Sequence, residues 1–474
     1  MLPIRNADSA YDILNKRSLW YLGVILAIIL FFVIANPIGM YFLNDDFIHI
    51  PLATSGNFLH SNLLRPIADV TLWIDGQVWG KNAFGFHVTN ICVHLINSLL
   101  VFLLYKKLFS GNKGKYTKEK ALLAAILFLL YAFHSESIFW IIARGGSLAA
   151  LSILISLNCF ISSKGIISLI VALIAFAIGL FTYEFVWIVP LLIIVLQLNG
   201  HNKGNKQKWM WSVWFIVVFV IYLIARQNIH RVYLSNYELG TVFNFRIRKL
   251  FYNYTLTLAR CFIPPVENKK ILLLVLSLLL GIGASAIIRI KKTGTGRALI
   301  IPVIFLLISC LPSISVGIDT HDTEGERFLY VPSVFFCWFI VELVFTLFHS
   351  LNVSLMVIVG LLIFHAFFLF RSAESYRYSG KLVSSSIACL KATGPAEMLS
   401  AEGVPTQYMG ALIFRMGFAE AMHWMLPYKF KRINILTTQE IFTPVYFHCD
   451  NASPVIKKEV KRISWNKKGL IIID

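Results

Sequence analysis

The stretch LWYLGVILAIILFFVIANPIGMYFLNDDFIHI, residues 19–50, sets the reading of the whole chain. An apolar run opens at Leu19, is broken only at Asn36-Pro37, and then meets two adjacent carboxylates, Asp45 and Asp46, with His49 close behind. A run of this length crosses the ~30 Å hydrocarbon core of a bilayer as one helix. Arg5, Lys16 and Arg17 precede it, and no small-residue cleavage pattern follows, so it reads as an uncleaved first span. The acid pair therefore stands where a helix leaves the membrane.

Outward from that segment the same character continues. Apolar runs begin near Leu19, Phe84, Ala121, Leu148, Ile166, Phe185, Met210, Ile271, Ala298, Phe328 and Val353. Of the 474 residues 57% are hydrophobic and 14% charged, against about 25% charged in soluble domains. Disordered, collagen-like and disulfide-scaffold classes are excluded. The expected fold class is an all-α polytopic membrane protein of about eleven transmembrane helices. The expected domains are a membrane domain over residues 1–371, with a first outer loop at 44–81, and a small α+β extracytoplasmic domain over 372–474.

The formal charge is +19, from 43 Lys and Arg against 24 Asp and Glu. In a soluble protein that balance suggests nucleic acid; here it reads as cytoplasmic loops held beside anionic lipid, with no nucleic-acid partner. Basic connections after Phe84, around Lys164, at Lys203 to Lys208 and at Arg289 to Arg297 share the side of the N-terminus if there are eleven spans. The N-terminus is then cytoplasmic and the C-terminus extracytoplasmic. Leu250 to Pro265, short and containing Arg260, reads as interfacial or re-entrant. The seven cysteines show neither paired spacing nor a zinc pattern, and most read as small core residues.

Several residues carry possible chemistry. Adjacent carboxylates repel, and partial burial raises at least one pKa, as a general base requires; the alternative is a helix end whose acids face water. His134, Glu136, Arg144, Glu184, Glu326 and Arg327 all fall near membrane level on the outer side, where they either line one cavity or are ordinary loop-end charges. His87, Asn90, His94 and Asn97 form one helix stripe. The two histidines lie about two turns apart, too far for one ion, so hydrogen bonding between helices explains the stripe better. Asp319 to Glu326 is an acidic loop whose spacing matches no calcium loop. No cofactor is indicated, with a divalent metal ion left as the open alternative.

In order along the chain stand Asp45-Asp46, Arg65-Pro66, FGFHVTNICVHLINSLLVFLL from Phe84, FHSESIFWIIARGG from Phe133, Tyr183-Glu184 and ERFLYVPS from Glu326. This series resembles the membrane domain of GT-C superfamily glycosyltransferases, in particular the protein O-mannosyltransferase branch whose members carry tetratricopeptide repeats. The chain departs from it in lacking the repeats, and in showing HSES and ARGG where that branch has HxxTEA-like and GRAD-like stretches.

The resemblance implies transfer of a sugar, hexosyl or mannosyl, from a polyprenyl-phosphate donor to a hydroxyl of a protein, lipid or glycan on the extracytoplasmic side, with inversion. It implies Asp45 as base, with Asp46 positioning the acceptor or exchanging roles with it. Arg327, Arg144 and Arg65 would meet the donor phosphate, and His49, His134, Glu136, Glu184 and Glu326 would bind or support the substrates. A bacterial inner membrane is the expected location. The rival classes are a lipid-linked sugar transporter or flippase and an O-antigen ligase or polymerase. Charges gathered at one face and the absence of an internal repeat favour the enzyme.

Overall fold

The computed structural model describes residues 7–59, 64–109, 116–162, 165–199, 206–230, 247–266, 297–348, 350–441, 458–466 and 469–473, with isolated positions between 270 and 288. Every apolar run within those residues is helical. In lipid the backbone must satisfy its own polar groups, and a single chain segment does so only as a helix. The long helices are α1 (Ala7–Ile34), α4 (Ala83–Phe109), α5 (Thr117–Leu130), α7 (Gly145–Ser162), α8 (Ile166–Leu180), α9 (Val189–Leu198), α10 (Lys206–His230), α12 (Arg297–Ser309), α13 (Tyr330–Leu347) and α14 (Leu351–Ala392). Between them lie the shorter helices α2 (Asp46–Thr54), α3 (Pro66–Trp79), the single turn α6 (Glu136–Phe139) and α11 (Ile247–Arg260).

Among the described residues, five helical segments are long and apolar enough to cross a membrane, and four more apolar helices are shorter. The expected count of eleven spans is thus not reproduced, and the run from Ile271 falls mostly outside the described residues. Tyr21, Leu22, Ile25 and Val33 on α1, Ile167 and Ile174 on α8, Val213 and Ile221 on α10, and Met356, Ile363 and Phe367 on α14 are exposed. Water would not tolerate so much contiguous apolar surface; lipid does. The chain is an integral membrane protein.

The polar stripe of α4 turns inward and joins helices. Asn97 Nδ2 donates to the Ser147 carbonyl at 2.8 Å and to the Tyr330 hydroxyl at 3.1 Å. His94 Nδ1 lies 2.6 Å from that hydroxyl, and its Nε2 lies 3.1 Å from the Leu129 carbonyl. The segment from Leu250 belongs to α11, whose Asn253, Thr257 and Arg260 are buried while Phe251 and Tyr252 are exposed. It is one-sided and is not among the spanning-length helices.

Helix α14 has 42 residues, so it is about 63 Å long, twice the bilayer core. Its first half is lipid-facing and its second half projects beyond. The division expected between residues 371 and 372 lies inside this unbroken helix, and strands begin only at Ala396. The C-terminal domain holds a sheet of β1 (Ala396–Glu402), β4 (Phe430–Ile435), β6 (Lys458–Asn466) and β7 (Gly469–Ile473) in the order β4-β1-β6-β7. β1 pairs in parallel with both β4 and β6, and β6–β7 is an antiparallel hairpin. A second sheet joins β2 (Val404–Tyr408), β3 (Ala411–Leu412) and β5 (Thr438–Ile441) in the order β3-β2-β5, and α15 (Phe418–Met425) packs against α2 and β4. Of the two short β-like runs in this part of the sequence, Pro444 to His448 lies outside the described residues and Leu470 to Ile473 falls in β7.

Gly380 shows how closely α14 approaches the segment that follows α1. A Cβ there would stand 2.7 Å from the Tyr41 nitrogen and 3.0 Å from the Gly39 carbonyl oxygen. Both are backbone atoms, which cannot swing aside. Gly360, on the same helix, has nothing within 4 Å. Gly380→Ala should therefore destabilise the purified protein by about 1–3 kcal/mol. Gly360→Ala should leave it unchanged or raise stability by up to about 1 kcal/mol. Thermal unfolding of both variants in the same detergent measures the contrast.

Candidate active site

The motif residues sit on short 3-10 turns at the ends of the helices: Ala132–His134 after α5, Ile142–Arg144 before α7, Glu184–Ile188 before α9 and Glu326–Leu329 before α13. Such turns leave backbone groups free at helix ends, and charged side chains from other turns close over them.

Four carboxylate–guanidinium pairs join these turns. Glu136 accepts from Arg327 Nη1 at 2.6 Å and from the Arg327 backbone nitrogen at 2.9 Å. Glu326 accepts from Arg260 Nη2 at 2.9 Å and from Ser135 Oγ at 2.8 Å. Asp75 accepts from Arg144 Nη1 at 2.6 Å. Glu184 accepts from Arg65 Nη2 at 2.7 Å and faces Arg226 at 3.6 Å. Gly146 allows one close approach in this web, for a Cβ there would meet Ser137 Oγ at 2.7 Å and the Arg327 carbonyl oxygen at 2.9 Å. That contact lets the Glu326–Leu329 turn settle against the start of α7.

The two acids after the first span occupy different environments. Asp46 is fully buried. Its Oδ2 accepts from the Leu43 backbone nitrogen at 2.9 Å, and its Oδ1 accepts from that of Ile142 at 3.1 Å, so it pins the first outer loop to the turn before α7. Burial, reinforced by the neighbouring Asp45 charge, pushes its pKa up to about 8.

Asp45 is half-buried. Burial holds its carboxyl above the ordinary carboxylate range, and the charges of Arg327 and Arg415 pull it back down. Asn44, in the left-handed region at φ 49°, donates from Nδ2 to Asp45 Oδ1 at 2.7 Å. Asparagine tolerates that conformation better than most residues. The C-terminal domain holds Asn44 at both ends: its backbone nitrogen donates to the Ile413 carbonyl at 2.7 Å, and its Oδ1 accepts from the Met416 nitrogen at 2.7 Å. Arg415 meanwhile grips Glu324 through two bonds of 2.8 and 3.0 Å.

Asp45, Arg327 and Glu136 thus belong to one neighbourhood, to which Arg415 and Glu324 are added. Beside it opens a cavity of about 410 Å³ lined by Arg327, Glu324, Asp319, Asn253, Tyr252 and Leu256. Arg65 and Glu184 line a small adjoining hollow with Phe328, and Arg65 lies 4.1 Å over the Tyr183 ring. Arg144 is fully buried, its guanidinium taken by Asp75 and the Phe86 carbonyl. His134 lies in the core, 2.9 Å from Ser333 Oγ and stacked on Tyr330. Glu326 is buried beneath a second cavity of about 430 Å³ under the C-terminal domain. His49 sits one turn beyond Asp45, its nitrogen donating to the Asp45 carbonyl at 2.9 Å. Among the described residues no group of three His, Cys, Asp or Glu side chains is placed to hold a metal ion.

Sequence reasoning did not single out Asn44, Asp75 or Arg415. None has a local signal, since each matters through a partner far along the chain. Cys389 is disulfide-bonded, a pairing that spacing did not reveal; its partner lies outside the described residues.

No family model matches the chain. Over 110 residues, 22% of its length, it is 33% identical to protein O-mannosyl-transferase TMTC4 of Homo sapiens, and the match covers 15% of that protein. Among solved structures, the oligosaccharyltransferase of Archaeoglobus fulgidus tethered with an acceptor peptide is similar over 88% of this chain and 64% of its own, at 14% identity and a TM-score of 0.46. ArnT from Cupriavidus metallidurans bound to undecaprenyl phosphate is similar over 87% of this chain and 85% of its own, at 10% identity and a TM-score of 0.44. The chain spans less than two thirds of the human and archaeal proteins. It resembles GT-C glycosyltransferases, of the O-mannosyltransferase kind in its motifs.

The surroundings of the two acids give opposite mutational signatures. Asp46→Ala strands two buried backbone N–H groups, at about 1–3 kcal/mol each, and should lower the melting temperature markedly. Asp45→Asn should melt close to wild type. Because folding raises the Asp46 pKa to about 8, the folded chain keeps a proton that the unfolded chain releases. Stability attributable to Asp46 should fall as pH rises from the ordinary carboxylate range toward that value. Melting curves across that window, with and without Asp46→Ala, check the sign.

Proposed function

We propose that this chain is a membrane glycosyltransferase that moves a sugar from a polyprenyl-phosphate donor to a hydroxyl group on the extracytoplasmic side, with inversion at the anomeric carbon. The observation that carries the reading is Asp45: a half-buried carboxylate under the influence of Arg327, which lines an open cavity, and of Arg415.

The chemistry follows from those groups. A donor phosphate is an acidic leaving group, so the step needs charge stabilisation more than a general acid. Arg327 suits that role because a guanidinium matches phosphate oxygens with two parallel bonds. Glu136 holds it in place while leaving its side chain 21% exposed. The acceptor hydroxyl needs a base, and a carboxylate raised above the ordinary range is a stronger base than a free one. The acceptor oxygen attacks the anomeric carbon from the face opposite the phosphate and Asp45 takes its proton. The bond from that carbon to the phosphate oxygen breaks, and the electron pair leaves with the polyprenyl phosphate. No metal enters this scheme. Asp46 supports the base from below, and Arg144 supports the loop beneath it through Asp75.

Other support comes from the surroundings. ArnT was solved with undecaprenyl phosphate and the archaeal enzyme with an acceptor peptide. A lipid phosphate donor and a peptide hydroxyl are accordingly the pair to try first, with a hexose as the sugar. Disulfides persist in oxidising compartments, so the bond at Cys389 supports an extracytoplasmic C-terminal domain, as the distribution of lysines does. A bacterial inner membrane fits this arrangement.

Incubating the purified protein with radiolabelled polyprenyl-phosphate sugars and membrane extracts should place label in one acceptor fraction. Asp45→Asn should reduce transfer by at least about a hundredfold. The rate should rise with pH through a pKa above the ordinary carboxylate range, because only the ionised base accepts the proton. Full turnover by Asp45→Asn, or a rate indifferent to pH between about 4 and 7, would remove Asp45 from the mechanism.

A further inference from the structure

We propose that Arg415, carried by the C-terminal domain, is the second half of a two-arginine seat for the donor's phosphate, with Arg327 as the first; this rests on the transferase reading above. Most other arginines near the outer mouth are spent inside the fold: the side chains of Arg144, Arg226 and Arg260 are 1–3% exposed. Those of Arg327 and Arg415 are 21% and 41% exposed. Each of these two is braced by one glutamate, Glu136 or Glu324, and both glutamates come from other turns. Glu324 and Arg327 line the same cavity of about 410 Å³.

The charges around Asp45 are Arg327 and Arg415, beside the proton-holding Asp46, with Glu136 and Glu324 one step further out. Arg327 and Arg415 also repel each other. Two cations kept in mutual range define a place where an anion is favoured. Arg415 is well located for the task, since its neighbours Ile413 and Met416 are both hydrogen-bonded to Asn44, the residue preceding the base.

The grip of Arg415 on Glu324 is open to solvent, with 41% and 34% of the two side chains exposed. A surface pair of this kind is weak, and a phosphate offers the same fork a stronger partner. Phosphate entry therefore exchanges Arg415 from Glu324 to the donor. The Glu136–Arg327 pair, buried on the carboxylate side, stays.

The test measures binding rather than turnover, using the full chain in nanodiscs with undecaprenyl phosphate, the neutral alcohol undecaprenol and inorganic phosphate as separate probes. Arg415→Ala should weaken undecaprenyl phosphate binding by at least about tenfold and leave undecaprenol binding unchanged. Arg415→Lys should fall between, because an ammonium keeps the charge and loses the fork. Glu324→Gln should keep or tighten binding, because it releases Arg415.

Equal loss from Glu324→Gln and Arg415→Ala would make Arg415 a structural brace and overturn the proposal, as would wild-type binding by Arg415→Ala. Inorganic phosphate binding as tightly as the lipid would overturn the assignment to a lipid headgroup. If the unmodified protein binds no lipid phosphate, the transferase reading itself falls, an outcome distinct from a failure confined to Arg415.

Discussion

The turns that carry the motif residues depend on carboxylates, most of them buried, finding guanidinium groups from distant parts of the chain. Glu326 with Arg260, Asp75 with Arg144, Glu136 with Arg327 and Glu184 with Arg65 join segments 66 to 191 residues apart. A buried ion pair adds little net stability over a well-packed apolar pair, but removing one partner costs about 3–5 kcal/mol. The pairs act as constraints on geometry. Apolar contact alone does not drive helices together in a bilayer, because a lipid tail is as apolar as a leucine, and the close packing that does join them leaves the loops at their mouths unfixed. Charges that must meet their partners settle which turn lies over which helix, and hence where Asp45 stands.

The parts of this arrangement that were legible in the sequence are those with local signatures. Apolar runs become helices whatever their neighbours, since lipid leaves the backbone no other partner. The α4 stripe was legible for a similar reason, because the spacing of His87, Asn90, His94 and Asn97 puts them on one face. The motif order located the turns that carry Glu136, Arg144, Glu184 and Arg327. Pairing was not legible. Asp75 lies in WIDGQVW and Arg415 in LIFRMG, neither of which hints at Arg144 or Glu324. The unbroken course of α14 through residue 371 was also hidden, because a helix leaving the bilayer changes from an apolar to a mixed surface without changing its backbone.

The two adjacent acids show why chemical identity does not assign a role. Both were read as one pair because they are neighbours with the same side chain. Alternate directions at the start of α2 send Asp46 inward, where two backbone N–H groups occupy its oxygens, and leave Asp45 at the rim under two arginine charges. The inner acid cannot swing to meet a substrate without releasing Leu43 and Ile142. The outer acid accepts from the Asn44 amide and lies under the charges of Arg327 and Arg415. Division of labour between the acids is thus a matter of which hydrogen bonds each has already made.

Asn44 also explains why a small β-rich domain is worth keeping on the end of a membrane bundle. A catalytic group on a loop is only as well placed as the loop, and a loop at a helix exit has water on one side. Here the loop is closed from that side by the backbone of Ile413 and Met416. The domain is itself set at a fixed height by α14, which is continuous from the lipid to the first strand. Rigid shaft, domain and asparagine form one mechanical path, so the position of Asp45 is referred to the bundle twice: directly through α1, and around the outside through α14. A site specified along two independent paths tolerates motion in neither, which is the preorganisation that the proposed transfer, with its departing phosphate, calls for.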